Sequence, residues 1–164
     1  MDKMELEEKI KSASSKIEEV MQQLNATVLR DGMQRAIGLD EDKTIEVVIG
    51  ELLKEKNQTI AIAESCTGGA ISKLITSVPG ASNYFIGGVI AYNKQVKIDD
   101  LGVEKSLIEK YSVVSSEVAE AMAKGIQQKY QTTYAVATTG NAGPTSDDTD
   151  TSVGVVFIAI AAPT

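Results

Sequence analysis

Apolar residues recur every three to four positions over 3–24, where Leu6, Ile10, Ile17, Met21 and Leu24 stand among Glu and Lys. That period predicts a helix. The stripe is thin and the segment strongly charged, so it reads as an arm that packs on the body or on another subunit. Residues 30–42, with Gly32, Gly38 and the cluster Asp40, Glu41, Asp42, read as a loop leading into a helix cap. Residues 43–56 place Ile45, Val48, Ile49, Leu52 and Leu53 on one helical face. From residue 58 the pattern changes. TIAIAE (59–64), FIGGVIAY (85–92), TYAVATTG (133–140) and VGVVFIAIAA (153–162) are short apolar runs that predict strands. Between them, helices are predicted over 70–78, 93–103, 104–111 and 116–130. The first ends at Pro79-Gly80 and the second at Gly102. Ser115 opens the last, although Val118 at the third position on denies it a full capping box.

Strands alternating with helices, and without clean period-two polarity, predict a sheet buried on both faces. The expected fold is a three-layer α/β/α sandwich around a mixed or mostly parallel sheet, preceded by the helical arm. The arm and its linker take residues 1–40 and the α/β domain takes 41–164. The fourth strand is the last predicted element, whereas an α/β layer normally closes with a helix. Either the arm covers that face, or a second subunit does, or the sequence is cut short there; a homo-oligomer is the expectation.

Composition removes many chemistries. The 164 residues contain no histidine, one cysteine and two arginines, Arg30 and Arg35. A Ser-His-Asp triad, a Cys-His pair and a histidine-ligated metal are therefore excluded, and one cysteine cannot build a Cys-rich metal site. Any catalytic base must be Lys, a carboxylate or Tyr. The net charge of −7 argues against a surface for nucleic-acid phosphates. No apolar run reaches the ~20 residues of a membrane span, and the charged N-terminus does not read as a signal peptide. A lone cysteine suits a reducing cytoplasm.

Three glycine-rich segments lie where strands end, the edge at which open α/β sheets bind ligands. In Glu64-Ser65-Cys66-Thr67-Gly68-Gly69, Ser65 is either a nucleophile at the mouth of a site or an ordinary helix cap, with Thr67 the rival cap. Cys66 is the rival nucleophile, though it has no histidine to activate it. In Gly87-Gly88 through Tyr92-Asn93-Lys94-Gln95-Val96-Lys97, Lys94 and Lys97 share a helix face. Lys97 is either the base for the serine or a solvated helix lysine. Thr138-Thr139-Gly140-Asn141-Ala142-Gly143-Pro144 exposes backbone amides and hydroxyls, or is simply a turn. Three such exits in one small sheet can converge on a single pocket. Asp147, Asp148 and Asp150 read as a solvated loop tip rather than a cation site.

Together, AESCTGG (63–69), the run VPGASNYFIGGVIAYNKQVKIDDLGV (78–103), VSSEVAEAMAKG (114–125), TTGNAGP (138–144) and VGVVFIAIA (153–161) resemble the C-terminal domain of the competence/damage-inducible CinA family. The similarity covers about residues 40–162 with the motifs in order. It implies a nicotinamide-nucleotide amidase, with no metal and no cofactor, that converts nicotinamide mononucleotide to nicotinate mononucleotide and ammonia. Position by position, it makes Ser65 the nucleophile, Lys97 its base and Tyr92 the residue that orients the lysine or the proton path. It places Thr139 and Gly140 against the substrate, with Gly69, Gly88, Asn93 and Asn141 beside them. The amides of Cys66, Thr67 and Gly68 become candidates for the oxyanion hole. Asn141 departs from the apolar residue of many relatives. Family members also continue past this point into another strand and a long helix, so this chain is expected to lack both. The implied partner is a small pyridine nucleotide. The competing expectation is a non-catalytic nucleotide-binding or competence-linked interaction module.

Overall fold

A computed structural model describes residues 43–144 and 152–163 of the chain. The expected arm over 3–24, the loop over 30–42 and the acidic run at 147–150 lie outside the described residues. The chain divides into two compact units, Met1–Val48 and Ile49–Thr164. Of the first, residues 43–48 are described, and they carry the start of α1 (Ile45–Glu55).

The second unit continues with β1 (Ile60–Glu64), α2 (Ala70–Thr76), a single 3₁₀ turn (Ala81–Asn83) and β2 (Phe85–Ile90). Then come α3 (Lys94–Leu101), α4 (Lys105–Tyr111), α5 (Ser116–Tyr130), β3 (Tyr134–Gly140) and β4 (Val156–Ala161). The strand order is β2-β1-β3-β4. β1 pairs in parallel with both neighbours, and β4 runs antiparallel to β3. The sheet is therefore mixed, inside the expected α/β/α class.

Alternation along β1 sorts the two core layers, because successive side chains point to opposite faces. Ala61 and Ala63 face α5, joined by Ala135 and Ala137 of β3 and Ala161 of β4. These small side chains let Val118, Met122, Ala123 and Ile126 of α5 settle onto the sheet, with Leu101, Val103 and Ile108 closing the layer. Ile60 and Ile62 face the other way, toward Leu53 of α1, Ile75 of α2, Ala81 and Tyr84. Gly125 marks the closest approach of α5 to α3, since a β carbon there would collide with the Leu101 carbonyl oxygen. That contact fixes the helix carrying Lys97. Ser115 caps α5 as expected, its hydroxyl accepting from the Val118 amide at 3.3 Å.

The expectation of a sheet buried on both faces holds for β1, all of whose residues are buried. It fails for the outer strands. Ile86 and Ile90 of β2, and Val156, Ile158 and Ile160 of β4, are exposed. Their alternation was hidden in the sequence because apolar residues occupy the exposed positions as well as the buried ones. Among the described residues, no helix is long and apolar enough to cross a membrane.

Candidate active site

β1 and β3 end side by side, and the chain leaving β1 turns sharply at Ser65. The Ser65 amide donates to the Thr138 carbonyl at 3.1 Å, tying the turn to the neighbouring strand. The strand alternation that turns Glu64 toward α2 turns Ser65 toward α3. There the side chain of Lys97 is only 2% exposed. Its Nζ lies 2.9 Å from Ser65 Oγ. It also donates to the carbonyl of Ala91, and lies 3.5 Å from that of Tyr92, where the chain leaves β2. Asn93 begins α3 by accepting from the Gln95 amide at 2.8 Å. This cap sets the helix phase that delivers Lys97 to the strand end.

A cavity of about 530 Å³ opens over the pair. Ser65, Cys66, Tyr92, Asn93, Lys94 and Lys97 form one wall; Val113, Val114 and the segment 139–143 form the other. A smaller hollow of about 260 Å³ between α5 and β4 contains Ser116, Glu120 and Lys124. There Lys124 pairs with Glu120 at 3.9 Å, both largely exposed, so it holds no buried nucleophile and base. Among the described residues, no group of three His, Cys, Asp or Glu could hold a metal.

The residues singled out in the sequence divide sharply. Ser65, Cys66, Asn93, Lys97, Thr139, Gly140 and Asn141 converge on the cavity. Thr139 donates its hydroxyl to the Val113 carbonyl at 2.7 Å, so it shapes the wall through α4's exit. Asn141 links the end of β3 to the start of β4. Its amide donates to the Val155 carbonyl, and its own carbonyl accepts from Gly154. Burial pushes the Cys66 thiol above its ordinary pKa, outweighing the nearby hydrogen-bond donors. A thiol held protonated is a poor nucleophile.

The other five expected residues are placed differently. Tyr92 lines the cavity, but its residue is 76% exposed, and the atom facing Lys97 is its backbone carbonyl. The contact from Tyr92 to Lys97 is thus made by the backbone and not by the phenol. Gly88 is a packing residue outside the cavity. A β carbon there would stand 2.8 Å from the Ile62 carbonyl oxygen and 3.0 Å from Ser72 Oγ. The Gly68 amide already donates to the Ser65 carbonyl at 3.1 Å, which removes it from the oxyanion donors. Gly69 and Thr67 also stand outside the cavity lining. The Gly69 amide serves Glu64, and Thr67 Oγ1 bonds Thr138 Oγ1 at 2.8 Å.

Glu64 is the residue that sequence reasoning missed. It is 1% exposed. One carboxylate oxygen accepts from the Gly69 and Ile71 amides at 3.0 and 3.1 Å. The other accepts from the amide and hydroxyl of Ser72 at 2.8 and 2.7 Å. Burial alone would raise its pKa, but the hydroxyl and amide of Ser72, with Thr67 and Ile71, outweigh it and hold the carboxyl below its ordinary value. Glu64 thus occupies the amides at the start of α2 and fixes the turn carrying Ser65. A charged residue ending an otherwise apolar strand was the available signal. Val113 and Val114 arrive through the α4–α5 connection and carried no sequence signal.

Residues 42–164 match the family model described as the CinA C-terminal domain. A CinA-like protein of Flavobacterium psychrophilum is 54% identical over 127 residues, spanning 77% of this chain and 30% of that protein. One from a Synechocystis species is 48% identical over 126 residues, with the same coverage. The chain thus spans less than a third of the length of these relatives. Among solved structures, the competence/damage inducible protein CihA of Agrobacterium tumefaciens superposes with a TM-score of 0.69 at 32% identity, covering 71% of each chain. A CinA superfamily protein of Escherichia coli gives 0.69 at 27% identity, covering 71% of this chain and 68% of that one.

Proposed function

The chain belongs to the CinA C-terminal domain family, and from that premise we propose that it is a nicotinamide-nucleotide amidase working through a Ser65–Lys97 pair. The observation that carries the reading is the buried 2.9 Å contact between Lys97 Nζ and Ser65 Oγ at the floor of an open cavity. A neutral lysine amine has two N–H groups and one lone pair. The Ala91 and Tyr92 carbonyls can take the N–H groups while the lone pair faces the serine hydroxyl. Taking an ammonium out of water disfavours the charged form, which is the usual way a lysine becomes a base.

In the first step, Ser65 Oγ bonds to the carboxamide carbon as its proton passes to Lys97 Nζ. The tetrahedral oxyanion is met by the amide of Cys66, which has no backbone acceptor among the described residues. Collapse breaks the carbon–nitrogen bond, and Lys97 gives the proton to departing ammonia. Water then attacks the acyl-serine, giving one proton to Lys97, which returns it to Ser65 Oγ. The products are nicotinate mononucleotide and ammonia.

The test is ammonia release from nicotinamide mononucleotide by the purified protein, beside Ser65→Ala. Release by the wild type alone supports the amidase. Saturable binding of the mononucleotide without ammonia would favour a binding module instead.

A further inference from the structure

The cavity is larger and more positive than amide hydrolysis alone requires. A carboxamide fills a small part of about 530 Å³. The lining contains two lysines and neither aspartate nor glutamate, in a chain whose net charge is −7. Lys97 is committed to Ser65 and to carbonyl oxygens of the Ala91-Tyr92 turn. Lys94 is placed differently. It opens α3 three residues before Lys97, is exposed, and makes no ion pair among the described residues. Side chains three apart on a helix stand about 5–6 Å apart at their β carbons. The Lys94 ammonium therefore lies on the same wall as the base, one helical turn away.

The geometry points to Lys94 as the anion-recognising residue of this cavity, receiving a phosphomonoester carried away from the scissile carboxamide. The inference rests on the amidase reading for the reacting group and adds the charge that the substrate must bear. A phosphomonoester carries about −1.5 to −2 charges at neutral pH, and Lys94 offers a compact, rotatable ammonium to it. The nicotinamide ring of the nucleotide is itself a cation. Without the phosphate, the same ring would be repelled by the Lys94 ammonium, so Lys94 discriminates between the phosphorylated nucleoside and the bare one. Because the contact is exposed and screened, its expected effect is about tenfold rather than thousandfold.

The experiment compares kcat/KM for nicotinamide mononucleotide and nicotinamide riboside in the wild type, Lys94→Ala and Lys94→Arg. The wild type should prefer the nucleotide. Lys94→Ala should lower kcat/KM for the nucleotide about tenfold through KM with kcat unchanged, and should leave the riboside unchanged or slightly improved. Lys94→Arg should retain the preference. Raising salt from about 0.05 to about 0.5 M should erode the preference in the wild type and not in Lys94→Ala. An equal loss on both substrates, or an unchanged nucleotide KM, would overturn the proposal. If the wild type releases ammonia from neither substrate, the amidase reading fails separately. Calorimetric titration of both compounds into Ser65→Ala and Ser65→Ala/Lys94→Ala then decides the role of Lys94. Tighter nucleotide binding that vanishes without Lys94 supports it; equal binding, or none, overturns it.

Discussion

Glu64 and Ser65 are neighbours in the chain, both buried, and they do opposite things. Glu64 faces α2, where its two oxygens accept four hydrogen bonds. Ser65 faces α3, where its hydroxyl meets one amine beside an open cavity. A buried charge whose bonding capacity is filled holds structure in place. A buried polar pair with room beside it can meet a reacting atom. The difference teaches that burial alone does not identify a catalytic group; spare bonding capacity facing a cavity does.

Breaking the open side should have the largest effect. Ser65→Ala and Lys97→Met should each reduce turnover by about a thousandfold or more, and the double variant by little further, because nucleophile and base act as a unit. Additive losses in steady-state rates would sink the pairing.

Breaking the filled side should cost stability first. Glu64→Gln replaces an acceptor with a donor facing amide hydrogens and should cost about 2 kcal/mol in chemical denaturation at pH 7. The folded pKa of Glu64 lies below the ordinary 4.5. Its contribution is therefore complete above that value and is lost as pH falls through the folded pKa. The gap between wild type and Glu64→Gln should narrow in that acid range; a gap constant down to pH 3 would contradict the charge assignment.

Gly88 sharpens the same division. Gly88→Ala crowds the Ile62 carbonyl and the Ser72 hydroxyl that serves Glu64, and should cost about 1–2 kcal/mol. Turnover per folded molecule should stay near normal, measured well below the unfolding transition. A selective rise in KM would return Gly88 to the binding site. The smallest effect belongs to Tyr92→Phe. Its phenol is solvent-facing, so kcat and KM should both change less than about twofold; a larger loss of kcat would restore the expected role in orienting Lys97.

Much of the fold was legible because local signals agreed. Ser115 opens the helix predicted over 116–130, and α5 is found there with Ser115 as its cap. The site was legible as segments, since chemistry-bearing residues lay at strand ends. What each atom does there was less so. A glycine pair signals close approach but not of what, and at Gly88 the neighbour is the sheet itself. Tyr92 shares a run with Lys97, yet β2 ends at Ile90 and the following turn carries its ring into solvent. Glu64 was hidden because its partners, the amides of α2, exist only once the turn has formed.

The central claim is that Ser65 is the covalent nucleophile, and its most direct test is the intact mass of the protein quenched in acid during turnover of nicotinamide mononucleotide, followed by peptide mapping. The account predicts one acyl group per chain on Ser65 and none on Ser65→Ala. An acyl group on Cys66, or turnover with no adduct on a timescale fast enough to capture it, would contradict the account.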